Sequence, residues 1–236
     1  MGCGVSPDTP SNHDQSAQAE GRDRIRAALL KSATQEFSRF GYADAVLGLV
    51  ANEFSSSVQV QEESTAGDSS LRAAYSRPEL YTLFANREEL ALAVVQWAED
   101  SWVLEVGHLL ADEATDPMDA LLAVARGHAV YCRQDVGRVI ARLAAEFEGR
   151  DHPVGRAGNE ALGRLIDHIV RLITKGRRSG AIPPGPPPRE LSVAYLGVLE
   201  RVVEPLRGHA PFDALLAEKA VSGLLGLAHT SETRTR

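Results

Sequence analysis

Few segments of the chain combine residue types and spacings that could support catalysis. The densest is Glu146–His152, which reads EFEGRDH and holds three carboxylates and an imidazole. The same letters fit one helix that ends at a Gly149 cap and a second helix that Asp151 opens ahead of Pro153, because glycine favours the C-terminal cap and aspartate the N-cap. We favour the structural interpretation, so this segment predicts a helix boundary rather than a catalytic site.

Recognised catalytic and metal-binding signatures are absent from the sequence. It contains no G-x-S-x-G nucleophile elbow, no phosphate-binding loop and no H-E-x-x-H zinc motif. Its cysteines, Cys3 and Cys132, are too few for a disulfide framework or a cysteine-ligated zinc site. The sequence therefore predicts no catalytic residue, no metal site and no cofactor, and a protein that is not an enzyme.

The overall composition is that of a globular protein. The 236 residues have a formal net charge of −7, with 44% hydrophobic and 24% charged residues. No segment approaches the roughly 18–20 consecutive apolar residues of a membrane span. The acidic balance argues against indiscriminate coating of nucleic acid, although it permits a local basic face. The excess of arginine over lysine, with abundant alanine, glycine and leucine, is typical of bacterial proteins, and we expect a cytoplasmic location.

The first part of the chain alternates helical patterns with polar segments. Residues 1–20 are polar and predict a flexible arm. Apolar residues three or four apart then predict a helix that ends near Gly41, and a short helix at roughly 44–54. The Ser-rich segment 55–72 predicts a loop, with a weak hairpin as the alternative.

Capping signals mark the helices that follow. Ser76 and Glu79 form a capping box around Pro78, which predicts a short helix ending near Phe84. Asn86 then predicts the N-cap of a long helix whose first turn is acidic, as the helix dipole favours. A short helix followed directly by a long one is therefore expected.

The remaining sequence is helical in period. Asp116 predicts a helix N-cap, and the proline-rich segment 180–188 predicts a stiff connector, because proline cannot continue a helix. No strand-rich segment or repeat interrupts the pattern. The fold class is therefore predicted to be all-α, with a small N-terminal unit and a larger helical bundle. The predicted helices lie near 87–112, 117–133, 135–148, 153–178, 188–207 and 211–229.

Three segments resemble the TetR family of bacterial transcriptional regulators. They are Phe37-x-x-Phe40-Gly41-Tyr42 at the end of the first helix, Leu49-Val50-Ala51 in the second, and Ala73–Leu90, which reads AAYSRPELYTLFANREEL. The resemblance implies a three-helix helix-turn-helix DNA-binding domain at 21–92, interrupted by an insertion at 55–72. It implies an effector-binding and dimerisation domain at 93–236.

The resemblance also implies a function and partners. It identifies a TetR-like transcriptional regulator, expected to be a repressor, that binds a palindromic double-stranded DNA operator as a homodimer. Helices 188–207 and 211–229 would form the dimer interface, and a small, mostly apolar effector would release the DNA. A dimer fits the geometry of DNA, because two recognition helices must lie about 34–36 Å apart to enter successive major grooves.

The expected DNA-binding residues lie on the short helix before Asn86 and around it. The first turn would reach base edges, where arginine can bind guanine and glutamate can accept from cytosine, while tyrosine and the next helix's arginine would contact phosphates. Tyr81 could instead be a core aromatic residue, and Arg77 a solvated charge. The full set is Arg22, Arg24, Ser76, Arg77, Glu79, Tyr81, Thr82 and Arg87.

Three departures from the family pattern keep a second function open. The insertion 55–72 separates the helices of the motif, Ala74 stands where the turn usually has glycine, and residues 1–92 hold 8 Lys+Arg against 13 Asp+Glu. The alternative is a regulator-like ligand-binding or sequestering protein that has lost or altered DNA binding.

The expected ligand-binding residues are aromatic side chains and a histidine in the bundle. Trp97, Trp102, His128, Tyr131 and Phe147 combine apolar surface with a few polar atoms, as small-molecule pockets do. The alternative is that His128 is a core histidine with its hydrogen bonds satisfied and that both tryptophans fill the core.

Overall fold

The computed structural model describes residues 12–45, 83–108 and 116–226, with side chains described from residue 21 onward. Within these ranges the chain forms helices and turns, without strands. We number the helices in chain order: α1 Asn12–Asp44, α2 Arg87–Trp102, α3 Pro117–Tyr131, α4 Val136–Glu146, α5 Pro153–Ser179, α6 Pro188–Leu206 and α7 Phe212–Leu224. A π-helical segment, Val103–Gly107, continues α2.

Two of the predicted capping residues, Asn86 and Asp116, cap helices as expected. Asn86 Oδ1 accepts a hydrogen bond from Glu89 N at 2.9 Å, and Glu89 Oε2 accepts one from Ala85 N at 2.7 Å. Asp116 Oδ1 likewise accepts from Met118 N at 2.8 Å. These contacts satisfy amide groups that a helix start leaves without intrahelical partners.

The start of α5 differs from the prediction. The N-cap is His152 rather than Asp151: His152 Nδ1 accepts a hydrogen bond from Val154 N at 3.2 Å. Pro153 explains the shift, because it occupies the first helical position and leaves the residue immediately before it in extended conformation, where its side chain reaches back to the helix. Gly149, with φ 72°, has the positive φ that its predicted capping role requires.

Helix α1 differs from the prediction at both ends. It begins at Asn12, so the predicted flexible arm 1–20 is helical from that residue onward. Alanine, glutamine and glutamate, all good helix formers, extend the helix outward. At the other end Gly41 has φ 79° and ψ −172°, and helical structure resumes up to Asp44. The predicted helices at 44–54 and 76–84 and the insertion 55–72 lie, almost entirely, outside the described residues.

Two hydrophobic cores hold the described helices together. The first joins α1, α2 and α4, with contributions from α3 and α5, and includes Phe37, Leu90 and Leu143. The second joins α3, α5, α6 and α7. Tyr195 lies in the second core, where its hydroxyl donates to Leu121 O at 2.7 Å, and burial raises its pKa. Because α1 packs directly on α4, the N-terminal unit contacts the bundle at more than one helix.

The helices are short or polar by the standard of membrane spans. Among the described residues, none forms a helix that is both long and apolar enough to cross a bilayer.

Candidate functional site

A narrow, mostly apolar pocket lies inside the bundle, between α2, α3, α4, α5 and α6. Its walls include Trp102 and Tyr131, together with Ile140 and Leu165. The space between the atoms amounts to about 490 Å³ when open solvent at the mouth is included, but only about 50 Å³ admits the centre of a water molecule. The enclosed space is smaller than typical small-molecule pockets, so a ligand must push the walls apart to enter.

A chain of polar contacts crosses this pocket. Trp102 Nε1 donates a hydrogen bond to His128 Nδ1 at 3.2 Å, and His128 Nε2 faces Glu200 Oε1 at 3.4 Å. The Cys132 sulfur lies 3.4 Å from the same Nε2. These contacts join α2, α3 and α6, and the buried His128 is the centre of the chain.

The protonation of His128 is set by opposing effects. Burial lowers its pKa, because it penalises the imidazolium, but Cys132 and Glu200 raise it by more, to about 10. A protonated Nδ1 has no lone pair, so an imidazolium cannot accept the hydrogen bond from Trp102. The Trp102 contact therefore requires the neutral ring, so it opposes the rise in the His128 pKa that Cys132 and Glu200 cause.

The other polar groups of the pocket already have partners. The Tyr131 hydroxyl donates to Ala98 O at 3.0 Å, and its pKa is raised by burial and by Glu105. Glu99 accepts two hydrogen bonds from Arg164, at 2.5 and 2.7 Å, which tie α2 to α5. The walls of the pocket thus have no unused hydrogen-bond donor among these groups, so a bound ligand meets mainly apolar surface.

A second group of contacts fixes the end of α1 against the bundle. Glu146, the last residue of α4, accepts hydrogen bonds from Tyr42 N at 2.6 Å and from Ala43 N at 2.9 Å. Gly41 permits this approach, since a Cβ there would lie 2.3 Å from Glu146 Oε2 and φ is 79°. Glu146 at the end of α4 thus holds the turn through the backbone N–H groups of Tyr42 and Ala43.

Arg87 holds the same turn from the other side. Its guanidinium donates to the carbonyls of Tyr42 at 2.8 Å, Ala43 at 2.7 Å and Ala45 at 3.0 Å, and lies over the Tyr42 ring. We call residues 41–45, with Glu146 and Arg87, the α1 clamp. The predicted phosphate contact of Arg87 would compete with these three carbonyls.

Aromatic rings surround the clamp. Phe147 stacks on His152 with ring centroids 3.9 Å apart, and Tyr42 meets both rings edge to face. Phe147 therefore lies beside the clamp and not in the pocket, where the sequence placed it. Phe147 instead belongs to the first hydrophobic core, at the end of α4.

The predicted site residues thus fall into separate groups. Trp102, His128 and Tyr131 line one pocket. Trp97 does not line this pocket and packs against the first core instead. Arg22 and Arg24 are exposed on α1. The remaining predicted DNA-binding residues lie outside the described residues, and they are Ser76, Arg77, Glu79, Tyr81 and Thr82.

Solved structures resemble this arrangement, although no protein-family model and no curated protein sequence matches the chain. A TetR-family transcriptional regulator from Agrobacterium tumefaciens is 16% identical with a TM-score of 0.66, covering 86% of this chain and 96% of that one. AibR in complex with isovaleryl coenzyme A and operator DNA is 15% identical, with a TM-score of 0.63 over 86% and 96%.

FadR from Bacillus subtilis in complex with stearoyl-CoA is 15% identical, with a TM-score of 0.62 over 86% of this chain and 99% of that one. The chain has the TetR-family fold. The predicted resemblance and the all-α fold class are therefore confirmed. At these identities the likeness establishes the fold alone.

Within the TetR-family fold, two carboxylates that the sequence did not single out occupy central positions. Glu200 ends the polar chain of the pocket, and Glu146 caps the turn after α1. A weak signal existed for Glu146, because an acidic residue at the C-terminus of a helix is unfavourable unless it has a partner. Glu200 carried no such signal, because its partner His128 is 72 residues away.

Proposed function

We propose that the chain is a ligand-responsive transcriptional regulator that binds operator DNA as a homodimer. The observation that carries the proposal is the fold, which extends over 86% of the chain and is shared with a protein solved with both an acyl-coenzyme A and operator DNA. The proteins from Agrobacterium tumefaciens and Bacillus subtilis named above are transcriptional regulators, and we infer a regulator that acts in the bacterial cytoplasm.

The basic residues on α1 support contact with DNA. Arg22, Arg24 and Arg26 are all exposed, and the Arg26 guanidinium lies over the Phe84 ring, 5.4 Å from its centroid. Exposed arginines near a recognition helix bind phosphates and fix the orientation of the protein on the duplex. In this proposal Arg77 and Glu79 read the bases, and Tyr81 contacts a phosphate.

Exposed apolar side chains on the last two helices support a homodimer. Val193 on α6 is 53% exposed, and Phe212, Leu215 and Leu216 on α7 are 62%, 47% and 43% exposed. The opposite faces of these helices are buried in the second core. Apolar surface of this kind marks an interface, and a second copy of the chain would cover it by two-fold pairing.

The pocket supports a small, mostly apolar effector. Its walls come from five helices, among them α2, which begins at the clamp, and α4, which ends there. A ligand that separates these walls changes the surroundings of the clamp as well. Such a ligand shifts DNA affinity only if it binds the two arrangements unequally, typically by about 1–3 kcal/mol.

The test is selection of bound duplexes from a random DNA pool with the full chain, followed by mobility shifts across a salt series. We expect the selected duplexes to contain a palindromic sequence, and we expect the affinity for them to fall steeply as the salt concentration rises. Arg77→Ala and Tyr81→Phe should each weaken binding, whereas Arg178→Ala, an exposed arginine at the end of α5, should leave it unchanged. Arg87→Ala is unsuitable, because it also removes the clamp.

The opposite result identifies the alternative function. If no duplex is enriched while the protein still binds small apolar molecules, the chain is a sequestering protein with a regulator's fold. Binding of all duplexes alike would contradict sequence-specific regulation. Far-ultraviolet circular dichroism of each variant shows whether lost binding reflects lost folding.

A further inference from the structure

A polar cleft adjoins the apolar pocket and has a different chemistry. It lies between α1, α4 and α6 and is lined by Arg138, Arg142 and Arg201, with Ser38 on its α1 side. Ala141 and Glu200 line both the cleft and the pocket, so the two spaces meet at these residues. The cleft is open to solvent and, unlike the pocket, is wide enough for water over about 690 Å³.

The charges in the cleft leave positive groups without partners. Glu204 lies 3.6 Å from Arg138 Nη1, and Glu200 lies 3.4 Å from His128 Nε2, so each carboxylate already has a partner. Arg142 and Arg201 form no ion pair with any carboxylate of the described residues. Two unpaired guanidinium groups therefore face the cleft.

Arg138 adds a buried donor without a partner. Its Nη atoms contact Asp135 at 3.0 Å and Glu204 at 3.6 Å, but its Nε is buried and has no hydrogen-bond partner among the described residues. A buried N–H that lacks an acceptor costs about 1–3 kcal/mol. An acceptor placed in the cleft would be favoured by this N–H as well as by the unpaired charges.

We propose that the effector is an anionic amphiphile, with its apolar chain in the pocket and its carboxylate or phosphate in the arginine cleft. The inference rests on the proposed function, because it names the ligand class of the same pocket. It goes further by assigning Arg142 and Arg201 to head-group binding. Arginine suits this role, since its fork of N–H donors matches the oxygens of carboxylates and phosphates.

A cation or a neutral molecule fits the two spaces less well. The ammonium of a cationic amphiphile in the cleft would meet the unpaired Arg142 and Arg201. The oxygen of a neutral molecule can accept from these N–H groups, but it leaves the two positive charges uncompensated. The anionic ligand alone supplies both acceptors and opposite charge while using the same apolar walls.

The experiment measures ligand binding directly, by the fluorescence of the full chain and without DNA. Both tryptophans lie on α2, and Trp102 lines the pocket. The probes share a twelve-carbon chain and are used below their micelle concentrations: dodecanoate, dodecyl phosphate, lauroyl-coenzyme A, dodecanol and dodecyltrimethylammonium. The variants are Arg142→Gln with Arg201→Gln, and the control Arg178→Gln.

We expect at least one anionic probe to bind the native chain about tenfold or more tightly than dodecanol, and the ammonium probe to bind least. The double variant should lose about tenfold or more in affinity for that anion, as expected when a charged hydrogen-bond partner is removed. Its affinity for dodecanol, and its melting temperature, should match those of the control. The relative affinities of the three anions identify the head group.

Three results would overturn the inference: equal binding of dodecanol and every anion, an unchanged anion affinity in the double variant, or preferred binding of the ammonium. Because no DNA is present, each result is independent of operator binding. If the protein binds the anions but no duplex, the inference on the ligand stands and the proposed function in transcription is refuted.

Discussion

Replacement of Glu146 by alanine is expected to weaken the clamp at the end of α1. The carboxylate accepts hydrogen bonds from Tyr42 N at 2.6 Å and Ala43 N at 2.9 Å. A hydrogen bond to a charged group contributes about 1.5–3 kcal/mol. The Ala43 amide is exposed, so water replaces that bond, and we count only the first. Truncation also relieves an unfavourable charge at a helix C-terminus, about 0.3–1 kcal/mol. The free energy of unfolding should therefore fall by about 0.5–2.7 kcal/mol.

The assay is urea denaturation followed by tryptophan fluorescence and by circular dichroism. The fluorescence reports on α2, which shares the first hydrophobic core with α1 and α4. Glu148→Ala is the matched control, because this carboxylate is exposed and nearby in sequence. If Glu146→Ala loses no more stability than Glu148→Ala, the two hydrogen bonds do not hold the turn and the clamp is not a stabilising feature.

Three further predictions concern other parts of the molecule. Gly41→Ala should destabilise by at least about 1–3 kcal/mol in a thermal melt, since φ is 79° and a Cβ would overlap the capping carboxylate; an unchanged melt would contradict the strained turn. Asp213 accepts two hydrogen bonds from Arg133 at 2.8 Å, which lowers its pKa, so its contribution is complete above its unfolded pKa and is lost as pH falls through the lower folded one. Asp213→Asn should lower the free energy of unfolding by about 2–3 kcal/mol at pH 7, less than for a fully buried pair because Arg133 is partly exposed. In urea titrations the difference in stability between this variant and the native chain should narrow below about pH 4. A difference that does not change with pH would refute the pairing. Leu215→Glu should yield monomers in sedimentation experiments, whereas Leu104→Glu, at a side chain 78% exposed on another helix, should not, and equal effects would argue against the α7 interface.

The sequence predicted the helices well because their boundaries depend on neighbouring residues. Helices α3, α5 and α6 begin at Pro117, Pro153 and Pro188, as predicted. Proline at the first helical position and a preceding cap act over a few residues, so a single sequence contains the information. The sequence likewise indicated Trp102 and His128 as pocket residues, and both line the pocket.

The clamp and the polar chain of the pocket depend on distant residues. Glu146 binds Tyr42 across 104 positions, and Arg87 binds it across 45. No local pattern distinguishes Arg87 as a ligand of carbonyls from an arginine that binds phosphate, since both roles suit a basic residue at a helix start. The fold decides between them by bringing the turn after α1 within reach of α2.

Helix α4 connects the pocket to the clamp. Residues Val136 to Ala141 include four that line the pocket, and Glu146 ends the helix at the turn after α1. At Gly155 of α5 a Cβ would lie 2.5 Å from Phe147 Cβ, so the end of α4 packs closely and cannot deform alone. A ligand that pushes α4 outward must therefore displace Glu146 as well. Coupling requires that the ligand binds the displaced and undisplaced arrangements of α4 with unequal affinity. Without the Glu146 carboxylate, displacement of α4 no longer disturbs the clamp. Glu146→Ala should therefore reduce the effect of a ligand on DNA affinity while leaving ligand binding itself nearly unchanged.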